Sequence, residues 1–374
     1  MRKRIEYFDG LKAAACLGVL LTHFAGAFRN YQLHGSVYWI NDNILRILLD
    51  GDFQIGIFAC ISGWLLMMKG IGSVKETLKE AAKRYLRFLI PVFFVCLAVF
   101  IIDKTAGFHN GEAGGMLSNG WFASYYQKSF TAADVIMSPL IRIWIFADDS
   151  FNGPFWMLSQ LLFASFIVIL ISFAVNRLKR WGYLSFIPAF ILSYHIGYAA
   201  LACVLGAFFC LAGKHIKEGI WSDVVFSLIM VITVSMFYGL YEKLLIKILP
   251  KVYISTGGNM SGYFKAVSGA VFVLSVSNIR FMKKALSVKP VSMGGKYSFG
   301  IYCFHWPVIC SFSSMLFLRL YGSMDYTGLY FLLLTFTLLL TAAFAYLFSF
   351  AERWSASAVK LLFREKKKIP EDQK

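Results

Sequence analysis

Long apolar runs separated by short basic segments dominate the chain. A helix that spans a bilayer needs about 20 predominantly apolar residues, and ten segments approximate that description. They are residues 11–28, 46–68, 86–103, 154–175, 182–196, 198–213, 221–241, 262–280, 297–319 and 327–350. The fifth and sixth are short and are separated only around Gly197, so they form either a tight helical hairpin or one re-entrant element. The pattern predicts an all-α integral membrane protein with about ten transmembrane helices.

The distribution of lysine and arginine predicts the orientation of these helices. With the N-terminus in the cytoplasm, most basic residues fall in cytoplasmic segments, and so does the C-terminus. We therefore expect both termini to be cytoplasmic. The exception is the outer segment 242–261, where Lys243, Lys247 and Lys251 suggest an amphipathic helix at the membrane surface. We divide the chain into a polytopic membrane domain, residues 1–352, and a basic cytoplasmic tail, residues 353–374, with no further soluble domain expected.

Composition supports a multi-pass protein of the cell membrane. Hydrophobic residues make up 58% of the chain and charged residues 15%, well below the charged share of a soluble domain. The net charge of +17 could indicate nucleic acid, but the basic residues lie in short clusters between apolar runs, as in loops that face anionic lipid. We therefore expect membrane lipid as a partner and no nucleic acid.

Residue spacing gives no sign of a metal or a resident cofactor. All seven cysteines lie in apolar runs without a CxxC motif, which is typical of small core residues. The six histidines lack metal-ligand spacing, and there is no Walker loop, GxGxxG or GxSxG motif.

The first apolar segment carries a lysine and a histidine on one helix face. Lys12 and His23 are eleven residues apart, close to three helical turns and about 16 Å along the axis. Titratable groups inside a membrane are costly and usually mark function. His23 is either a general base or a histidine that packs by hydrogen bonding across helices. Lys12 is either part of that site or an interfacial lysine that reaches lipid phosphates, and Asp9 can pair with it.

Three further segments hold candidate substrate-binding residues. In KRYLRFLIP, Arg84 and Arg87 are either a consequence of cytoplasmic topology or a clamp for phosphate oxygens. In GIFACISGWLL, Ser62 lies in the middle of a span, where small residues usually permit close helix packing. In GPFWMLSQLL, Trp156 precedes Gln160, whose buried amide is either a link between helices or a substrate contact.

The segment KYSFGIYCFHWPV holds a second intramembrane histidine. Tyr302 and His305 are three residues apart and share a helix face. Pro307 should disturb the helix just beyond them and free backbone groups. A phenol beside an imidazole at this depth favours chemistry over packing.

The longest non-spanning stretch, residues 104–153, is predicted to lie outside the cell. It mixes aromatic rings with carboxylates, a combination that suits a sugar but also an ordinary interfacial belt. Its aromatic and acidic residues are Trp121, Tyr125, Tyr126, Trp144, Asp134, Asp148 and Asp149.

With these motifs the chain resembles the membrane-bound acyltransferase 3 family, over nearly its whole length. The matching stretches are YFDGLKAAACLGVLLTHF, GIFACISGWLL, RYLRFLIP, GPFWMLSQLL and GKYSFGIYCFHWPVI. Members of the family carry a basic residue, ten intervening residues and a histidine in the first span; here these are Lys12 and His23. Many members have a glutamate where this chain has Gln160, and glutamine is neither an acid nor a base, so we expect a binding role there.

The resemblance implies a transmembrane O-acyltransferase that modifies an extracytoplasmic glycan or lipid-linked sugar. The donor would be cytoplasmic acyl-CoA, acetyl-CoA in particular, with no bound cofactor. His23 would deprotonate the acceptor hydroxyl, and Tyr302 and His305 would stabilise the oxyanion or orient His23. Lys12, Arg84 and Arg87 would hold the donor phosphate. The alternatives are a transporter or flippase for an anionic or lipid-linked substrate, and a non-catalytic membrane scaffold.

Overall fold

The computed structural model describes residues 4–29, 47, 49–236 and 260–363, and over these residues the protein is all-helical. The first half contains α1 (Glu6–Ala27), α2 (Gly51–Met67), α3 (Val74–Thr105), α4 (Asn110–Met116), α5 (Gly120–Ala123), α6 (Ala132–Met137), α7 (Ile143–Ile145) and α8 (Trp156–Leu178). The second half contains α9 (Phe186–Ile196), α10 (Tyr198–Ala212), α11 (Ile220–Met236), α12 (Met260–Asn278), α13 (Arg280–Leu286), α14 (Lys289–Gly294), α15 (Ser298–Val308), α16 (Ser314–Leu320) and α17 (Tyr326–Leu362). The predicted all-α class is confirmed.

Seven helical stretches among the described residues are long and apolar enough to cross a membrane. They are Glu6–Ala27, Val74–Thr105, Gly153–Ile196, Tyr198–His215, Met260–Asn278, Ser298–Leu320 and Tyr326–Leu362. Two shorter apolar helices, Gly51–Met67 and Ile220–Val234, accompany them. The protein is therefore a multi-pass membrane protein, and each of the ten predicted segments falls on a helix. The count is smaller because the apolar parts of α2 and α11 are short and because the fourth and fifth predicted segments belong to one helical stretch.

The helices α8, α9 and α10 reverse direction through two tight turns. At the first turn Lys179 has a φ of 51°, and Gly182 packs so closely that a Cβ there would lie 2.3 Å from the carbonyl oxygen of Ala174. At the second turn Gly197 has a φ of 142°, a value that favours glycine. The ring of Phe208 then packs back on that of Phe190, with 6.1 Å between centroids. Helices α9 and α10 therefore pack as a tight hairpin.

Glycines allow α2, α10 and α12 to pack backbone against backbone. A Cβ on Gly63 would lie 1.8 Å from the carbonyl oxygen of Cys203, and one on Gly206 would lie 1.9 Å from that of Cys60. Close approach through small residues is the usual basis of helix association in membranes. The small thiols of these two cysteines fill the same core, as the sequence predicted.

Two predictions fall wholly or partly outside the described residues. A surface helix was predicted for residues 242–261, and residues 242–259 lie outside the described residues. The last helix continues unbroken to Leu362, so the first part of the predicted tail, residues 353–362, is helical. Residues 364–374 of that tail lie outside the described residues.

The packing of α2 on α10 predicts the effect of adding one methyl group. Gly63→Ala forces a Cβ against backbone and should lower the free energy of unfolding by about 1–3 kcal/mol, the usual cost of overpacking. Thermal or denaturant unfolding in detergent measures this change. Gly72→Ala is the matched control, because a Cβ there meets no atom within 4 Å. Equal stability of the two variants would contradict the close packing.

Candidate active site

Two imidazoles meet where α1 crosses α15. His305 Nε2 lies 3.2 Å from His23 Nδ1, and the ring centroids are 5.0 Å apart. His305 is fully buried, and its Nδ1 lies 3.0 Å from the carbonyl oxygen of Ile301. His23 Nδ1 also lies 2.9 Å from the carbonyl oxygen of Val19. The two histidines that the sequence singled out therefore form one pair.

The hydrogen-bond partners assign the tautomers of this pair. A carbonyl oxygen is only an acceptor, so Nδ1 of His305 carries a proton and donates it to Ile301. In the neutral ring Nε2 of His305 is then an acceptor, and Nδ1–H of His23 donates to it and to Val19 together. This leaves the lone pair of His23 on Nε2. A neutral imidazole with that nitrogen unprotonated can take a proton from a hydroxyl.

The end of α15 holds the pair against an aromatic cluster. Pro307 cannot donate to the carbonyl oxygen of Cys303, which accepts a hydrogen bond from the side chain of Asn152 instead, and downstream the chain continues as a π-helical turn, Ile309–Ser313. Trp306 is fully buried, with its ring 5.3 Å from that of His23. From the segment 104–153, Trp121 and Tyr125 pack on Trp306, at 5.3 Å and 4.8 Å between centroids. These aromatic rings cover the histidine pair.

The carboxylates of the same segment serve its own structure. The hydroxyl and backbone N–H of Thr131 donate to Asp134, and Arg142 pairs with it at 2.7 Å. These hydrogen bonds, and then the arginine, lower the pKa of Asp134 to about 2. Asp148 accepts a hydrogen bond from Ser138. The segment therefore packs over the site, and the carboxylates of Asp134 and Asp148 are tied to neighbours within it.

A cavity of about 320 Å³ opens beside His23, and we call it the His23 cavity. It is lined by Val19, Thr22, His23, Leu49, Asp50, Gly51, Asp52, Ile55, Pro154, Trp156, Lys265 and Tyr302. Asp50 pairs with Lys265 at 2.9 Å, and the hydroxyl of Tyr198 donates to Asp52 at 2.7 Å. The cavity thus brings carboxylates, an ammonium group and the indole of Trp156 next to the histidine.

A second cavity, of about 330 Å³, lies toward the start of α1, and we call it the Lys12 cavity. It is lined by Lys12, Phe58, Ile61, Ser62, Leu65, Arg84, Phe88, Met157, Leu158, Leu161, Gly295, Lys296, Ser298, Phe299, Tyr302 and Glu352. Arg84 donates to Ser62 at 2.5 Å and to Ser165 at 2.9 Å, which fixes its guanidinium between α2 and α8. Lys12 pairs with Asp9 at 2.7 Å, and Arg4 pairs with the other oxygen of that carboxylate.

Tyr302 is the residue that lines both cavities. It is buried, and its hydroxyl donates to the carbonyl oxygen of Pro154 at the start of α8. A single side chain therefore forms a shared wall between a cavity that contains Lys12 and Arg84 and a cavity that contains His23.

Three predicted substrate-binding residues line neither of these cavities: Arg87, Gln160 and Asp9, whose carboxylate pairs with Lys12 and Arg4. Arg87 lines a third cavity of about 520 Å³, which we call the Arg87 cavity, together with Lys69, Gly70, Ile71, Glu76, Lys79, Glu80 and Lys83. Gln160 accepts the backbone N–H of Ala199 at 3.1 Å and so links α8 to the start of α10. The structure thus brings Lys12, Ser62 and Arg84 together, and places Gln160 at a helix junction. Among the described residues no group of three or more His, Cys, Asp or Glu could hold a metal ion.

A comparison with known proteins shows which family the chain belongs to. A family model described as an acyltransferase domain, that of the acyltransferase 3 family, matches residues 5–350. The chain belongs to this acyltransferase family. The match runs from the start of α1 to within α17 and covers both histidines and every residue that lines the three cavities except Glu352.

A relative with a named activity gives a second comparison. The chain is 25% identical over 356 residues to the peptidoglycan O-acetyltransferase OatA of Listeria monocytogenes, which covers 82% of this chain. The chain spans about half the length of that relative, 50%. No solved structure matches the chain.

Sequence reasoning did not single out several charged residues that line these cavities, among them Asp50, Asp52, Lys265 and Glu352. Asp50 and Asp52 flank the start of α2, where acidic residues normally mark a helix N-terminus or the membrane interface. Lys265 and Glu352 lie near the ends of apolar segments, where charged residues are also ordinary. The sequence held one signal: the basic residues just before Lys265 depart from the positive-inside pattern. Nothing in the sequence indicated that Lys265 pairs with Asp50.

We predict that the two cavities open to water on opposite faces of the membrane. Ser62→Cys, in the Lys12 cavity, should react with a membrane-impermeant maleimide from one face of the membrane, and Thr22→Cys, in the His23 cavity, from the other. Labelling in right-side-out and inverted vesicles measures this. All seven native cysteines are buried, so background should be low, and Ala202→Cys, fully buried in α10, is the unlabelled control. Labelling of both variants from one face would contradict two separate openings.

Proposed function

We propose that the chain is a transmembrane O-acyltransferase that moves an acyl group, acetyl in the first instance, from cytoplasmic acyl-CoA to a hydroxyl of an extracytoplasmic glycan. The observation that carries the proposal is the shared wall at Tyr302, with the cationic Lys12 cavity on one side and the His23 cavity on the other. Membership of the acyltransferase family supports the reaction class. The name of the relative, a peptidoglycan O-acetyltransferase, supports a glycan acceptor and an acetyl group.

The proposal includes ten crossings with both termini in the cytoplasm. In this orientation the starts of α1 and α3 and the turn before α15 face the cytoplasm, as the positive-inside pattern favours. The Lys12 cavity then opens toward the compartment that holds acyl-CoA. The His23 cavity opens toward the compartment that holds the glycan.

The donor occupies the two cytoplasmic cavities. Cations of the Arg87 cavity, among them Lys79 and Lys83, suit the phosphates of the nucleotide. Arg84, one helical turn from Arg87, continues the cationic path into the Lys12 cavity. The volume of about 330 Å³ falls in the usual range for a small-molecule site and suits the narrow arm that carries the thioester.

Transfer is a single displacement at the thioester carbonyl. The acceptor oxygen forms a bond to the acyl carbon, and its proton passes to Nε2 of His23. The carbon–sulfur bond breaks, and the thiolate of the donor takes the proton back from His23. His305 positions the ring of His23 by accepting its Nδ1–H. Tyr302 lines the path between donor and acceptor, where its ring separates the two cavities until both are occupied.

The acceptor sugar binds in the His23 cavity. Trp156 offers an aromatic face to the C–H side of a sugar ring, and the carboxylates of Asp50 and Asp52 accept hydrogen bonds from hydroxyls. The acceptor can also be a lipid-linked sugar, because such a molecule is anchored in membrane lipid and presents its sugar at the same interface. The transporter alternative lacks a comparable observation, because the family match is to an acyltransferase domain.

Removing the imidazole of His23 tests the proposal. His23→Ala should lower transfer of radiolabelled acetyl from acetyl-CoA to glycan by about 100-fold or more, the contribution expected of a general base. The measurement uses membrane vesicles with acetyl-CoA on the cytoplasmic face and glycan on the other. His195→Ala is the matched control, because His195 is exposed at the end of α9 and lines neither cavity. Its transfer rate should equal that of the unsubstituted protein.

Two results would contradict the proposal. Equal transfer by His23→Ala and the unsubstituted protein would remove His23 from the mechanism. Movement of the sugar substrate across the vesicle membrane without acyl transfer would favour the transporter.

A further inference from the structure

Glu352 is a half-buried acid that the reaction described above leaves without a role. It lies on α17 four residues beyond Phe348, so both side chains project from the same helix face. The ring of Phe348 packs on that of Phe299, with 6.1 Å between centroids, and Phe299 and Glu352 both line the Lys12 cavity. The carboxyl group is therefore part of the cavity wall.

One oxygen of this carboxyl group is buried and unsatisfied. Oε2 of Glu352 has no hydrogen-bond partner in the part of the chain that the structure describes. Three cations line the same cavity. Lys12 pairs with Asp9, and Arg84 donates to Ser62 and Ser165. Lys296 is exposed and makes no hydrogen bond to Oε2 of Glu352. Buried polar groups are costly unless they are hydrogen-bonded, and an unsatisfied one in a cavity indicates a partner that arrives with a ligand.

The chemistry of a carboxyl group limits what that partner is. A carboxylate repels phosphate, so it does not hold the nucleotide end of the donor, for which the Arg87 cavity has the cations. It is a strong acceptor for N–H groups. The rest of the wall is largely apolar, formed by residues such as Ile61, Leu158 and Phe299. An N–H group that enters this cavity therefore finds its best acceptor at Glu352.

We infer that Glu352 binds the amide-bearing arm of the acyl donor by accepting a hydrogen bond from an amide N–H of the pantetheine chain. This inference rests on the proposed function, since it requires acyl-CoA as the donor. Held there, the arm is aligned along the Lys12 cavity with its thioester directed toward Tyr302. Glu352 thus selects donors that carry an amide in the arm, in addition to the selection of phosphate by the cations.

A series of donors that lose their amide groups tests the inference. The donors are acetyl-CoA, S-acetyl-N-acetylcysteamine, which keeps one amide, and S-acetyl-mercaptoethanol, which has none. With acetyl-CoA, Glu352→Ala should raise KM about tenfold, in line with the loss of a hydrogen bond to a charged group, and leave kcat nearly unchanged. With the amide-free donor, the variant and the unsubstituted protein should have the same kcat/KM.

Two further variants separate binding from folding. Glu352→Gln keeps the shape of the side chain and a carbonyl acceptor, so its KM for acetyl-CoA should rise less than that of Glu352→Ala. Arg353→Gln is the matched control, because Arg353 is the adjacent residue, is exposed and does not line the cavity. It should behave as the unsubstituted protein with every donor.

The results that overturn the inference are specific. An unchanged KM for acetyl-CoA in Glu352→Ala would remove Glu352 from donor binding. An equal loss with the amide-free donor would mean that Glu352 acts on the structure of the cavity and not on the amide. Absence of transfer from all donors by the unsubstituted protein would overturn the proposed function itself, whereas normal transfer with insensitive Glu352 variants would overturn this inference alone.

Discussion

The contact between His23 and His305 is the interaction on which the site depends. Two imidazoles at 3.2 Å inside a membrane protein are compatible when both are neutral and one donates to the other, and the backbone carbonyls of Val19 and Ile301 decide which one donates. The contact requires α1 and α15 to be held closely. Two contacts show that these helices are close. A Cβ on Gly295 would lie 2.3 Å from the carbonyl oxygen of Asp9, and the thiol of Cys16 donates to the carbonyl oxygen of Ser298 at 3.1 Å.

The division of the interior into two cavities follows from the same crossing. α1 carries Lys12 at one end and His23 near the other, so each end contributes to a different cavity, and α15 contributes Tyr302 to both. A donor with phosphates and an acceptor with hydroxyls need different surroundings: cations for the first, and carboxylates with an aromatic ring for the second. The two sets of surroundings lie in separate cavities, and the ring of Tyr302 lines both. The proposed transfer needs such a separation, since its two substrates would come from different compartments.

Much of the architecture was predictable from the sequence, because membrane helices are marked by long apolar runs. The register of Lys12 and His23 on one face was also predictable, since it follows from helical periodicity within one segment. The meeting of His23 with His305 was not, because it depends on which helices are neighbours and at what depth they cross. For the same reason the sequence could not show that Arg84 and Arg87, which belong to one basic cluster, line different cavities. Nor could it show that Gln160 joins two helices. In the sequence Glu352 follows an apolar run and resembles an interfacial residue. Only the packing of α17 against α15 shows that it belongs to a cavity wall.

A double-mutant cycle between His23 and His305 tests the central claim most directly, since the claim is that His305 acts by orienting His23. The cycle compares kcat for acetyl transfer in His23→Ala, His305→Ala and the double variant. If His305 acts only through His23, the double variant should lose no more activity than His23→Ala alone, because residues that act as a unit are not additive. Losses that multiply would show that the two histidines act independently, and would contradict the account.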